Sequence, residues 1–234
     1  MSFLINPYRY AAPVISTSLL RFYQKLEGNV TDSSTYSVSV TPSNLTYTSD
    51  GKFGSGGIFN GTSTIETLAS ADYSLTTGFT VMCWMKRGDD LTDVQQIFTS
   101  DKTNSSPNVR VWQFGIEDTD EIRFIRFSDN TTVCTYIKST ATITDTNWHH
   151  VAAVFDNAVG SKIYIDGNED GSDTVKTNNY NPSNTPIIGG QLGGAGGAPS
   201  NWFKGTLDEV ILYTRPLSVT EITTVAAATR PLIA

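Results

Sequence analysis

The only two histidines of the chain stand side by side in DTNWHHVAAVFD, residues 145–156. Adjacent imidazoles raise the question of a metal site or a catalytic base. On a strand, successive side chains point to opposite faces, so His149 and His150 are badly placed to share one ion. No further Cys or His stands nearby in the sequence to complete a tetrahedral set. A serine or cysteine nucleophile needs a base, and these two are the only histidines on offer. No G-x-S-x-G element accompanies them. The expectation is a core strand with one buried and one partly exposed imidazole.

Binding chemistry is the next possibility. Sugar recognition pairs an aromatic platform with hydrogen-bonding groups that set orientation. Arg110, Trp112 and Gln113 lie together in VRVWQFGIE, residues 109–117, and Arg123 and Arg126 follow in EIRFIRFSD, residues 121–129. Trp202 closes the Gly-rich stretch GGQLGGAGGAPSNW, residues 189–202, which reads as one surface loop between two strands. The expected ligand-binding set is Arg110, Trp112, Gln113 and Trp202.

These residues must be carried by strands. Charged residues are only 17% of the 234, and Ser and Thr make up roughly a quarter. The apolar residues lean to Val, Ile, Phe and Tyr, which fit a pleated surface. Short alternating segments recur between Gly, Asn and Asp turns, the pattern of a sandwich or barrel. FTVMCWMKR, residues 79–87, puts Phe79, Val81, Cys83 and Met85 on one face. TVCTYIKST (132–140), SKIYIDG (161–167), PIIGG (186–190) and GTLDEVILYTR (205–215) are further strands. Asp166-Gly167 signals a hairpin turn. One helix is expected over residues 217–228, with Ser218 and Glu221 at capping-box spacing.

The rest of the composition narrows the partners. A net charge of −7 without a basic run argues against a nucleic-acid partner. No window is apolar enough for a transmembrane helix, so no membrane insertion is expected. MSFLINPYRYAAP lacks a basic segment before an unbroken apolar stretch, so no secretion signal is expected. Cys83 and Cys134 are then read as buried free thiols.

GKFGSGGIFNGTSTIE (51–66), FTVMCWMK (79–86), NWHHVAAVFD (147–156), IYIDG (163–167), IIGG (187–190) and FKGTLDEVILYTRPLSVTEI (203–222) together resemble the laminin-G-like domains of the concanavalin A-like lectin and glucanase superfamily. The resemblance runs from about residue 20 to 225. It implies an all-β fold: a two-sheet antiparallel jelly-roll sandwich, here with a short C-terminal helix. It implies that Trp84 and Trp148 support the fold. It also implies a structural calcium, with Asp208 in the last strand and an N-terminal segment near Asp32 as ligands, oxygen donors suited to a hard cation.

The glucanase branch sets E-x-D-x-E on one strand face, and retaining hydrolysis needs two carboxyls roughly 5 Å apart. The nearest stretch, IEDTDEI at 116–122, puts Glu117, Thr119 and Glu121 on one face without the central aspartate. A solvated turn is expected there, and the protein is not expected to be an enzyme. MSFLINPYRYAAP resembles the opening of structural proteins of tailed bacteriophages. The expectation is a virion accessory protein assembled in the host cytoplasm: a capsid decoration, head fibre or tail appendage. Residues 1–18 would be a docking arm to other virion proteins. Residues 19–234 would form the jelly roll, a homo-oligomer displaying a lectin-like surface to host glycans. A stand-alone carbohydrate-binding or adhesion module is the alternative.

Overall fold

The computed structural model describes residues 15–67, 75, 77–88, 93–102, 109–129, 131–177, 186–191 and 200–229. Five short strands come first: β1 (Leu20–Gln24), β2 (Val40–Ser43), β3 (Thr46–Thr48), β4 (Gly56–Asn60) and β5 (Thr64–Thr67). The long strands follow: β6 (Gly78–Arg87), β7 (Gln95–Lys102), β8 (Val109–Ile116), β9 (Glu121–Phe127), β10 (Val133–Thr142) and β11 (His149–Asp156). The chain closes with β12 (Gly160–Ile165), β13 (Asn168–Ser172), β14 (Ile187–Ile188), β15 (Lys204–Tyr213) and the helix α1 (Val219–Ala226).

These strands make two antiparallel sheets. One has eight strands in the order β13-β12-β11-β6-β15-β4-β3, with β1 also paired to β15. The other has seven, in the order β10-β9-β8-β7-β14-β5-β2. Alternation decides what lies between them. Phe79, Val81, Cys83 and Met85 all enter the inter-sheet core, as the period-two pattern predicts. Phe79 of the eight-stranded sheet meets Trp112 at 5.7 Å and Phe124 at 5.8 Å across the gap. Trp112 also stands edge-on to Phe98 at 5.1 Å. These centroid separations fall in the favourable range for aromatic pairs.

The opposite face of the eight-stranded sheet carries a second cluster. Met82, Ala152, Val154 and Ile211 are covered by Leu217, Ile222 and Val225 at and within α1. Ile15 and Leu20 join them. The helix begins as the sequence predicts: the Ser218 side chain accepts from the Glu221 amide, and the Glu221 carboxylate accepts from the Ser218 amide. Its span is shorter than 217–228 because the flanking residues serve as caps. The expected Asp166-Gly167 turn joins β12 to β13, with φ of 49° and 82° at the two positions.

Three expectations change. PIIGG contributes only the two-residue strand β14. Cys134 is half-buried rather than buried, although both thiols are free. Trp112 lies wholly in the core at 0% exposure, so it offers no face to a ligand. Trp112→Ala is expected to lower stability by about 3–5 kcal/mol, the range for truncating a buried aromatic. Denaturant unfolding measures it, and a loss below ~1 kcal/mol would contradict the core assignment.

Candidate functional site

The histidines divide as strand alternation requires. His150 is 0% exposed and packs edge-on to Trp84 at 5.4 Å. Burial pushes its imidazole down to about 4, so it stays neutral at ordinary pH. His149 faces the other way, with Nδ1 2.7 Å from Asp166 and Nε2 3.1 Å from Asp145. Those hydrogen bonds, chiefly to Asp166, raise its pKa. Asp166 also accepts from the His150 amide at 2.9 Å. The pair therefore pins the β12–β13 turn to β11.

The carboxylate stretch is a turn, with the Glu117 amide donating to the Glu121 carbonyl at 2.8 Å. Glu117 is not solvated, however. It is 6% exposed, accepts from the Tyr136 hydroxyl at 2.6 Å and lies 3.5 Å from Arg123 Nε. Glu121 accepts from Thr119 and lies 3.1 Å from Lys138. The Thr119 hydroxyl holds its pKa down. Both carboxylates are thus engaged within the sheet.

Asp32 and Asp208, the acidic pair expected at a calcium, are each engaged by backbone amides. Asp32 accepts from the amides of Tyr23, Ser34 and Val38 at 2.9, 3.0 and 2.7 Å, and from the Ser34 hydroxyl at 2.7 Å. Those bonds shape the turn after β1 and occupy both carboxylate oxygens. Asp208 accepts from the Phe53 amide through Oδ2, while Oδ1 is buried without a partner. Among the described residues no group of three or more His, Cys, Asp or Glu is placed to hold a metal ion.

A bulge explains Asp208 and its neighbour. Pairing between β15 and β6 shifts between Asp208 and Ile211, and Glu209 takes a φ of 51°. Asp208 lies against the Phe53–Trp84 side, and Glu209 accepts from the Tyr23 hydroxyl. Burial raises Asp208 to about 7 and Glu209 to about 8.

The predicted binding residues are also divided. Arg126 is a buried clamp: it donates to Ser161, Thr135 and the carbonyls of Val175 and Thr177 at 2.7–2.9 Å, over the Phe155 ring. Arg110 lies 4.6 Å from the Phe127 ring centroid. Gln113 is buried and accepts from Arg123 at 2.6 Å and from Gln96 at 3.3 Å. Gln96 in turn forms a backbone bridge with Trp202.

Trp202 is half-buried, unlike Trp112. It follows Asn201, whose carbonyl accepts from the Gln96 amide at 2.8 Å and whose side chain donates to Gln191 at 2.9 Å. On its other side, the Phe203 amide donates to the Gly189 carbonyl at 3.0 Å. The indole lies close over Gly190, where a Cβ would stand 3.2 Å from its Cε3. A missing side chain therefore seats the ring against the sheet. Beside it is a cavity of about 310 Å³ lined by Gly61, Asp93, Gln95, Asn201, Trp202 and Lys204. The Lys204 stem lies across the β4–β5 turn, and its amide donates to Gln95 at 2.9 Å. Sequence reading found Trp202 but missed Asp93, Gln95 and Lys204. Asp93 and Gln95 stand far from it in sequence, so only the fold shows that part of the grouping, whereas Lys204 lies two residues after Trp202 and adjacency could have found it.

A profile described as the concanavalin A-like lectin/glucanases superfamily matches residues 59–223. No curated protein matches the chain in sequence. Several solved structures share its architecture. One belongs to a study of botulinum neurotoxin type C, whose cell entry depends on two ganglioside molecules, with 14% identity and a TM-score of 0.72. Another is the binding domain of botulinum neurotoxin DC with rat synaptotagmin II, also at 14% and 0.72. Each covers 92% of this chain, which spans about half of theirs, 52%. The third is domain 4 of a GH43 extracellular arabinanase from Geobacillus stearothermophilus with arabinotriose. It has 19% identity and a TM-score of 0.65, covering 88% of this chain and 98% of its own.

A pH test separates a desolvated acid from a metal ligand at Asp208. Its folded pKa, about 7, lies above the ordinary 3.8. The folded state therefore binds the extra proton between those values, so the stability it contributes is lost as pH rises from about 4 to 7. Asp208→Asn should gain stability relative to the parent across that window. Denaturant unfolding at pH 4, 7 and 8 measures the difference; a pH-independent difference would contradict the assignment.

Proposed function

The chain belongs to the concanavalin A-like lectin/glucanase superfamily, and from that premise we propose that it is a non-enzymatic glycan-binding module centred on the Trp202 cavity. One observation carries this reading. Trp202 is a half-buried tryptophan that walls a cavity, and polar residues line that cavity. Stacking on an indole face supplies apolar contact, while Asp93, Asn201 and Lys204 supply orientation. The indole is held before a ligand arrives by the Gln96–Asn201 and Gly189–Phe203 hydrogen bonds. Preorganisation of that kind reduces the ordering penalty of binding.

The comparisons support sugar as the ligand class. Domain 4 of the arabinanase, of similar fold and nearly equal extent, holds arabinotriose. The toxin structure at 0.72 concerns ganglioside interaction. Against catalysis stand Glu117 and Glu121, each engaged by neighbours in its own sheet.

A glycan array and titration with host polysaccharide, using Trp202→Ala as control, test the proposal. Loss of the aromatic anchor should weaken binding at least ~10-fold, as for other buried aromatic hot spots. Binding unchanged by Trp202→Ala would remove the cavity from the reading.

The phage-like opening MSFLINPYRYAAP supports a finer proposal, that the module is displayed on a virion through residues 1–18. Residues 1–14 lie outside the described residues, while Ile15 is buried in the cluster beneath α1. Deleting residues 2–14 is expected to abolish particle incorporation while the domain stays folded. Normal incorporation of the truncated chain would refute the docking role.

A further inference from the structure

We propose that His149, held as an imidazolium between two carboxylates, is a pH-sensitive clip: it fastens the crossover between the two sheets to the β12–β13 turn and lets the crossover go in alkaline solution. The clip shares no residue with the Trp202 cavity and does not depend on the glycan reading.

The crossover is the stretch between β10 and β11, where the chain leaves the seven-stranded sheet for the eight-stranded one. Within it Asp145 accepts from the Asn147 amide at 2.7 Å, closing a small turn. His149 is the first residue of β11. Its ring reaches back to Asp145 through Nε2 at 3.1 Å and across to Asp166 through Nδ1 at 2.7 Å. Asp166 is itself fixed. Its other oxygen accepts from the His150 amide at 2.9 Å, and its own amide donates to the His150 carbonyl at 2.8 Å. One ring therefore bridges the crossover and the turn. The same hairpin meets β10 a second time, where Asp170 accepts from the amides of Thr140 and Ala141 at 2.9 and 3.2 Å.

Counting protons gives the state of the ring. An ionised carboxylate only accepts, so each of the two contacts needs an N–H from the imidazole, and only the imidazolium has both. The Asn147 amide and then His149 hold Asp145 below the usual carboxylate range. Burial works the other way at Asp166, yet the bonds from His149 and the His150 amide outweigh it and hold Asp166 low as well. The bond to Asp166 is also the chief cause that raises His149, against the burial of its ring. The charged groups that face this ring are Asp145 from the crossover and Asp166 from the turn. Lys52, from the loop before β4, bears on the neutral His150 instead.

Loss of one proton makes the two contacts unequal. The neutral ring keeps a single N–H, and the shorter contact, to Asp166, retains it. Nε2 then turns a lone pair towards the Asp145 carboxylate, acceptor against acceptor. Repulsion replaces a charge-assisted bond, and Asp145 leaves the ring with its turn. The folded pKa lies above the ordinary 6.5. The clip's contribution is therefore complete below that value and is lost as pH rises through the folded one. The two carboxylates are 52% and 46% exposed, so the effect on global stability is small and the opening is local. The turn stays in place, with the Gly167 carbonyl still accepting from the Thr223 hydroxyl of α1 at 3.2 Å.

Nitrogen-15 NMR of the full chain tests the clip, helped by there being only two histidines. Near pH 6 one ring should show both nitrogens protonated, and that signal should vanish in His149→Gln. The other ring should be neutral. The titration midpoint of His149 should fall in Asp145→Asn and fall further in Asp166→Asn. Carbon-13 relaxation then reads the crossover. Order parameters at Thr146 and Asn147 should drop from the rigid value of about 0.85 towards about 0.6 as His149 loses its proton, while Asp166 and Gly167 stay rigid. Asp145→Asn should abolish that drop, because its side-chain amide can donate to the neutral Nε2 and accept from the charged ring. A His149 ring with a single N–H near pH 6 would overturn the proposal. So would a crossover whose order ignores the His149 titration, or follows it equally in Asp145→Asn.

Discussion

The contact between Phe79 and Trp112 joins the two sheets, and the rest of the molecule depends on it. Phe79 touches Trp112, Phe124 and Phe155, so one ring connects β6 and β11 to β8 and β9. Trp112 then reaches Phe98 on β7, and Phe98 reaches Phe22 just 5.9 Å away on β1. Burying rings of this size dominates core energetics. It also fixes register, because a slip of one residue would turn Phe79 outwards and bring Thr80 in. Once the rings are committed to the seam, they cannot serve a ligand. That constraint is why the proposed binding surface lies at the periphery, where Trp202 sits.

Much of the architecture was legible in the sequence because long strands with one apolar face betray their period. β6, β11 and β15 are of that kind, and so is the capped helix. The strands β1 to β5 were not legible. All are three to five residues long, and β2 shows nearly all of its residues to solvent. A pattern needs more residues than that to declare a period. Trp112 was misjudged for a different reason. Alternation places Trp112, Phe114 and Ile116 on one face, and that run of bulky residues is the core signal; grouping Trp112 with Gln113, whose side chain takes the opposite face, set adjacency above parity.

The bulge in β15 marks the limit of pattern reasoning. LDEVILY reads as an ordinary strand, yet Glu209 adopts positive φ and the register shifts. As a result Asp208 and Glu209, neighbours in sequence, each lie buried against outer-layer partners rather than alternating as a regular strand would have them. Glu117 shows the same limit. Polar residues in IEDTDEI suggest solvent, but Tyr136 and Arg123, brought from two other positions of the same sheet, draw the carboxylate in.

Two polar places among the described residues differ in exposure. The first lies on the outer face of the eight-stranded sheet. There β15, β6 and β11 align Asp208, Trp84 and His150 in one cross-strand row. Asp208 Oδ1, Trp84 Nε1 and both nitrogens of His150 are buried without hydrogen-bond partners. Such groups normally find ordered water. Phe53 covers Trp84 edge-on, and Lys52 stands 3.7 Å from the same indole. A solute as large as a sugar would have to displace that loop, along with its bond from the Phe53 amide to Asp208. At Trp202 the ring is half-exposed and the cavity is already formed, with Gln95 bonded to the Lys204 amide and Asn201 to Gln191. The row beneath Phe53 is therefore covered by its own loop, whereas the recognition proposed at Trp202 would use the open edge where β14 ends and β15 begins.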